Sequence, residues 1–121
     1  MKTVLITGTS SGIGKATALY FAQKGWNVAA TMRQPEKDTQ FANIKNVRLY
    51  SLDVTQESSV NAAVASIAAD FGGIDVVVNN AGYGADGVFE AMGDDVIYNQ
   101  FNTNVFGLMR VTRAVIPHMR R

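Results

Sequence analysis

Four short apolar runs punctuate the chain: Val4-Leu5-Ile6, Val28-Ala29-Ala30, Val47 to Leu52 broken by Arg48, and Val76-Val77-Val78. A run that is apolar at consecutive positions must be covered on both faces, so each predicts a buried parallel strand. Between the third and fourth runs, Val60, Ala63, Val64, Ile67, Ala68 and Phe71 follow the helical spacing i, i+3, i+4, i+7, i+8, i+11. They form one stripe of an amphipathic helix, with Thr55 placed to cap its start and Gly72-Gly73 to end it. A first helix is expected from about Gly12 to Lys24, stopped by Gly25, with Ile13, Ala16, Leu19 and Tyr20 inward. Gln34 to Asn46 carries Pro35 and a weak apolar pattern around Phe41 and Ile44, which predicts only a short helix. The last helix should be the longest, from near Asp94 to Arg120, burying Ile97, Phe101, Leu108, Val111, Val115 and Met119. Pro117 should fray or kink its final turn.

Strands alternating with helices imply right-handed crossovers and a doubly wound α/β sheet. The 121 residues fit one domain, 1–121, with neither internal repeat, low-complexity segment nor linker. Charged residues make up 17% and the formal net charge is +1, which argues against a nucleic-acid partner. With no cysteine, disulfides and cysteine metal sites are excluded, and a cytoplasmic setting is the default expectation. The apolar run after Lys2 is too short for a signal peptide, and no segment approaches a membrane span.

Chemistry enters with "TGTSSGIGKA", Thr7 to Ala16, directly behind the first strand. Gly8, Gly12 and Gly14 have the spacing G-x-x-x-G-x-G and open a helix. Such a loop lets the backbone approach a pyrophosphate, and the helix N-terminus faces the negative charge. Glycines also serve plain turns; the position after a strand favours the nucleotide reading.

The glycine spacing, "NNAG" at Asn79 to Gly82, "LDVT" at Leu52 to Thr55 and "NTNVFG" at Asn102 to Gly107 together resemble the short-chain dehydrogenase/reductase family. The resemblance spans the whole chain. It implies a three-layer Rossmann-type fold, truncated after about four strands, with the order 3-2-1-4. It also implies a role for each matched residue. Gly8, Gly12, Ile13 and Gly14 would line the pyrophosphate, with Ser10 and Ser11 near the adenosine ribose and its phosphate. Asp53 would accept from the adenine amino group while Val54 packs on the ring, and Asn80, Ala81 and Gly82 would border the nicotinamide ribose. Asn104 matches the family's active-site asparagine.

Plainer readings stand beside these. Asp53 could satisfy backbone amides ahead of the following helix, and Asn104 could be a solvated polar position. Asn79 is expected to tie neighbouring backbone together, and His118 to lie exposed at a helix C-terminus, where a cation is mildly favourable. The methionines and phenylalanines of the last helix read as core or interface.

An NAD-preferring site places an acid at the end of the second strand, and here Thr31 stands in that place. Two residues on, Arg33 offers a guanidinium that can pair bidentately with a 2′-phosphate. NADP is therefore favoured over NAD.

The family's chemistry also needs a tyrosine acid, a lysine four residues later and an upstream serine. The spacing Tyr-x-x-x-Lys occurs at Tyr20 and Lys24. These lie on the first helix, Tyr20 roughly 12 Å along it from Gly12, away from the edge where ligands bind, so they read as core packing. Tyr50, Tyr83 and Tyr98 are followed four residues on by Val54, Gly87 and Asn102. The expectation is the NADP(H)-binding portion of an oxidoreductase that interconverts carbonyls and alcohols, inactive alone. The alternative is a stand-alone nucleotide-binding or interaction module. A homo-oligomer is expected in either case, through the open edge of Val76-Val77-Val78 or through the last helix.

Overall fold

The computed structural model describes residues 1–84 and 87–120. Strand β1 (Thr3–Ile6) lies between β2 (Asn27–Met32) and β4 (Val76–Val78), with β3 (Val47–Ser51) outside β2. All pairings are parallel, in the order β3-β2-β1-β4, and Leu5 sits opposite Ala29 and Val77. The expected Rossmann-type α/β sheet is what forms.

Successive strand residues point to opposite faces, so the sheet builds two cores. On one face Leu5 and Ala29 meet Val60, Val64 and Ile67 of α2 (Glu57–Phe71) and Val111 and Val115 of α4 (Gly107–Met119). On the other, Val4, Ile6, Val28 and Ala30 meet Ala18 of α1 (Gly12–Gln23) and Phe41. Phe21 and Trp26 close that side edge to face, with ring centroids 4.9 Å apart.

α2 keeps the stripe read from its spacing, and Gly72 ends it with φ 80°, its N–H donating to the Ala68 carbonyl at 2.9 Å. Its N-cap is Gln56 rather than Thr55, because the Thr55 N–H and hydroxyl both turn to Asp53. The inward face of α1 also differs from expectation. Gly14 and Ala18 are buried, whereas Ile13 is 78% exposed and Ala16, Leu19 and Tyr20 face outward. Small residues let this helix approach the sheet closely, which displaces the larger apolar side chains to its rim. Tyr20 is therefore not core: Lys24 Nζ stands 5.5 Å from its ring centroid.

The segment after β2 forms only a 3₁₀ turn, Pro35–Lys37. The expected last helix divides into α3 (Asp94–Phe101), a π turn over Asn102–Phe106, and α4. One extra residue in the π turn rotates what precedes it by about 100° relative to α4. Val111 and Val115 remain buried, but Phe101, Leu108 and Met119 are about half exposed and Ile97 only partly covered. α4 runs through Pro117 to Met119, so the proline does not end it. His118, expected exposed, is partly buried. Among the described residues no helix is long and apolar enough to cross a membrane.

Candidate functional site

Every strand ends at the same edge of the sheet, and the residues that follow each one line a single cleft of about 560 Å³. Gly8, Ser10, Ser11 and Ile13 come from the loop after β1, Met32 and Arg33 from the end of β2, Leu52 to Thr55 from the loop after β3, and Asn80 to Tyr83 from the loop after β4. Loops at the carboxyl ends of parallel strands are where open α/β sheets bind ligands.

Thr7 knits two of these loops together. Its N–H donates to the Val78 carbonyl, and its buried hydroxyl oxygen accepts from the N–H groups of Asn80 and Ala81, each at 2.9 Å. Asn80 Nδ2 returns a hydrogen bond to the Gly8 carbonyl at 3.0 Å. Gly14 sits beneath this junction, where a Cβ would collide with the Gly8 carbonyl and Asn80 Nδ2. Gly14 thus shapes the cleft without lining it, and Gly12, with φ +60°, makes the exposed turn into α1. No side chain caps α1, and its first turn holds no acid, unlike those of α2 and α3. Its first N–H groups remain available to an anion.

Asp53 is held from within. Oδ1 accepts from the Thr55 hydroxyl at 2.7 Å and the Thr55 N–H at 3.0 Å. Partial burial pushes its carboxyl up, but the two Thr55 hydrogen bonds and the nearby Arg33 and Arg110 charges outweigh this and hold it below its ordinary range. The backbone-satisfying reading of Asp53 therefore accounts for Oδ1, while the residue still lines the cleft.

Thr31 does not occupy the place read for it. β2 extends to Met32, and Thr31 is fully buried, its hydroxyl donating to the Ile6 carbonyl at 2.9 Å. What β2 delivers to the cleft is Met32, Arg33 and Gln34, with Lys37 from the 3₁₀ turn; these four adjoin Ser10 and Asp53 in an extension of the cleft. The Arg33 carbonyl accepts from Ser51 Oγ at 3.3 Å, which ties this segment to β3.

Asn104 lies in the π turn, beside the cleft residue Thr103. Its Oδ1 accepts from the Tyr83 N–H at 2.9 Å and its Nδ2 donates to the Tyr83 carbonyl at 2.6 Å. It is a backbone clamp rather than a solvated position. A Cβ on Gly82 would come within 2.9 Å of Asn104 Oδ1, so glycine permits the clamp. Asn79 does not make the backbone tie expected of it but bonds side chain to side chain, Nδ2 to Thr112 Oγ1 at 3.3 Å; the backbone tie is made by Asn80 instead.

The model of the short chain dehydrogenase family matches residues 2–121. The chain belongs to that family. It is 42% identical over 118 residues to a 3-ketodihydrosphingosine reductase of Bacteroides thetaiotaomicron, covering 98% of this chain and 42% of that protein. It is 39% identical over 129 residues to human retinol dehydrogenase 8, covering 99% of this chain and 40% of that one. Among solved structures, ElxO with NADP bound aligns with a TM-score of 0.90 at 36% identity, over 98% of this chain and 50% of that chain. Ligand-free aldohexose dehydrogenase of Thermoplasma acidophilum gives 0.87 at 30% identity, over 98% and 44%. The chain therefore spans about two fifths of the length of the curated relatives and about half that of the solved neighbours.

The cleft gathers all the sequence-read site residues except Gly12, Gly14 and Asn104, which lie at its rim or beneath it. The sequence assigned no place in the cleft to Thr7, Thr55, Tyr83 or Lys37, although Thr55 stood out as a helix cap. Thr7 left a signal in its place between an apolar strand and a glycine loop; Lys37 left none, because only the 3₁₀ turn brings it beside Arg33.

Proposed function

We propose that this chain binds a nicotinamide dinucleotide in the cleft, with NADP(H) preferred, as part of an oxidoreductase interconverting carbonyls and alcohols. The observation that carries the preference is the exit of β2: two cations, Arg33 and Lys37, and no carboxylate among the residues it sends to the pocket. A guanidinium and an ammonium suit a 2′-phosphate, and the buried Thr31 hydroxyl is already engaged. The solved neighbours with NADP or NADPH bound support the same reading.

The donor set and space fit such a cofactor. Gly8, where a Cβ would stand 3.0 Å from Ala81 Cα, and the uncapped start of α1 form a backbone cradle for a pyrophosphate. Ser10 and Ser11 would meet the adenosine ribose and its phosphate, Asp53 and Val54 the adenine, and Asn80, Ala81 and Gly82 the ribose on the nicotinamide side. Asn104 would orient the Tyr83 segment beside the reacting end. When bound, the cofactor supplies a hydride donor or acceptor; these side chains bind and orient it.

The spacing Tyr-x-x-x-Lys occurs in these residues only on the outer face of α1, at Tyr20 and Lys24, away from the cleft. The 121 residues alone are accordingly expected to bind cofactor without turning over an aldehyde or ketone. They are also expected to self-associate, through the β4 edge or the outer face of α4, in a cytoplasmic setting.

Arg33→Asp tests the cofactor reading. It should weaken NADPH binding by about 1.5–3 kcal/mol for the lost charge-assisted contact, and NADH far less. Equal weakening of both in a fluorescence titration would contradict it.

A further inference from the structure

The two walls of the cleft meet at the π turn. Arg110 reaches back from α4, and its Nη1 donates to the Val54 carbonyl at 3.0 Å and to the Asn102 carbonyl at 3.3 Å. Nη2 donates to Asn102 Oδ1 at 2.7 Å. The Asn102 carbonyl is also the acceptor of the Gly107 N–H that closes the π turn. Gly107 itself packs on Val54, where a Cβ would stand 2.7 Å from Val54 Cγ2. Two residues into the turn, Asn104 grips the Tyr83 backbone. Val54 and Tyr83 both line the cleft.

A π turn has poorer hydrogen-bond geometry than an α-helix and holds only where its surroundings favour it. Arg110 supplies that support with a planar fork that engages three acceptors on two segments, which a single ammonium cannot match. We propose that Arg110 is a positioning residue that holds the π turn in register and so fixes the Val54 and Tyr83 walls relative to each other before any nucleotide enters. The proposal rests on the cleft's geometry and is independent of which dinucleotide binds.

Hydrogen exchange on the ligand-free protein tests it, with Arg110→Met and Arg110→Lys. In the methionine variant the Gly107 and Tyr83 amides should exchange at least about tenfold faster, while Val64 in α2 and Ala29 in β2 keep wild-type rates. The lysine variant should fall between, since it can restore one acceptor but not three. Wild-type rates at Gly107 and Tyr83, or an equal acceleration at all four amides, would overturn the proposal. If the methionine variant does not fold, the lysine variant decides by the same pattern: selective acceleration at Gly107 and Tyr83 supports the proposal, and its absence refutes it.

Discussion

α2 and α4 cover the same face of the sheet and are built to different ends. α2 is regular throughout, buries Val60, Ala63, Val64 and Ile67, and turns Ser58, Asn61, Ser66 and Asp70 outward. α4 buries Val111 and Val115 in the same core but leaves Leu108, Met109, Ile116 and Met119 exposed, and it is reached through a π turn. α2 packs its unbroken stripe both on the sheet and on Val111 and Val115 of α4. The α3–α4 segment departs from regularity where Asn104 and Arg110 reach the cleft loops, and its outer surface carries the exposed side chains of Leu108, Met109 and Ile116. Scaffold and site are thus divided between two helices over one core.

The largest effect should come from cutting into the scaffold. Ile67→Ala removes a fully buried side chain and should cost about 2–5 kcal/mol in denaturant unfolding, while a folded remainder keeps its relative preference for NADPH over NADH. A changed preference would break the division between the helices. Asn104→Ala reverses the pattern. Loss of the Tyr83 clamp should cost about 1 kcal/mol of NADPH affinity in calorimetry with a smaller change in melting temperature.

Tyr50→Phe probes the outer edge of α2, where the Tyr50 hydroxyl donates to Asp70 at 2.7 Å. Burial first, then that hydrogen bond and the Asp70 charge, push the tyrosine pKa up to about 12 from 10.0. A raised folded-state value means that this stabilisation is complete below pH 10 and is lost as pH rises through about 12. The substitution should cost about 0.5–1 kcal/mol at neutral pH and remove a high-pH step from the ultraviolet titration. Smallest in stability is Leu108→Glu with Ile116→Glu on the outer face of α4. Folding should change by no more than about 0.5 kcal/mol per site, but sedimentation velocity should shift toward monomer. A wild-type protein already monomeric at micromolar concentration would remove the reason for that apolar face.

The division was only partly legible in the sequence. Consecutive apolar residues revealed all four strands, and the i, i+3, i+4 spacing revealed α2 with its Gly72 stop, because those signals are local. The inward face of α1 was misread because hydrophobic size pointed to Ile13, Leu19 and Tyr20, whereas close approach to the sheet selects Gly14 and Ala18. No periodicity announces a π turn: Arg110 lies only eight residues from Asn102 on the same helical run, but Val54, which packs on Gly107 and accepts from Arg110, comes from the loop after β3. At the cleft, the glycines and Asp53 could be picked out by motif, but not the Thr55 contacts that engage Asp53 Oδ1. Thr31 was placed one residue short because β2 continues through Met32, which turns the threonine into the sheet.

On this reading the loops at the carboxyl ends of these four strands form one dinucleotide site whose β2 end is built for a phosphate. Parallel calorimetric titrations of the wild-type chain with NADPH and NADH test it most directly. One site per chain is expected, with NADPH bound at least about tenfold more tightly, a difference of about 1.4 kcal/mol. Equal affinity for the two, or no binding of either by the folded protein, would contradict the account.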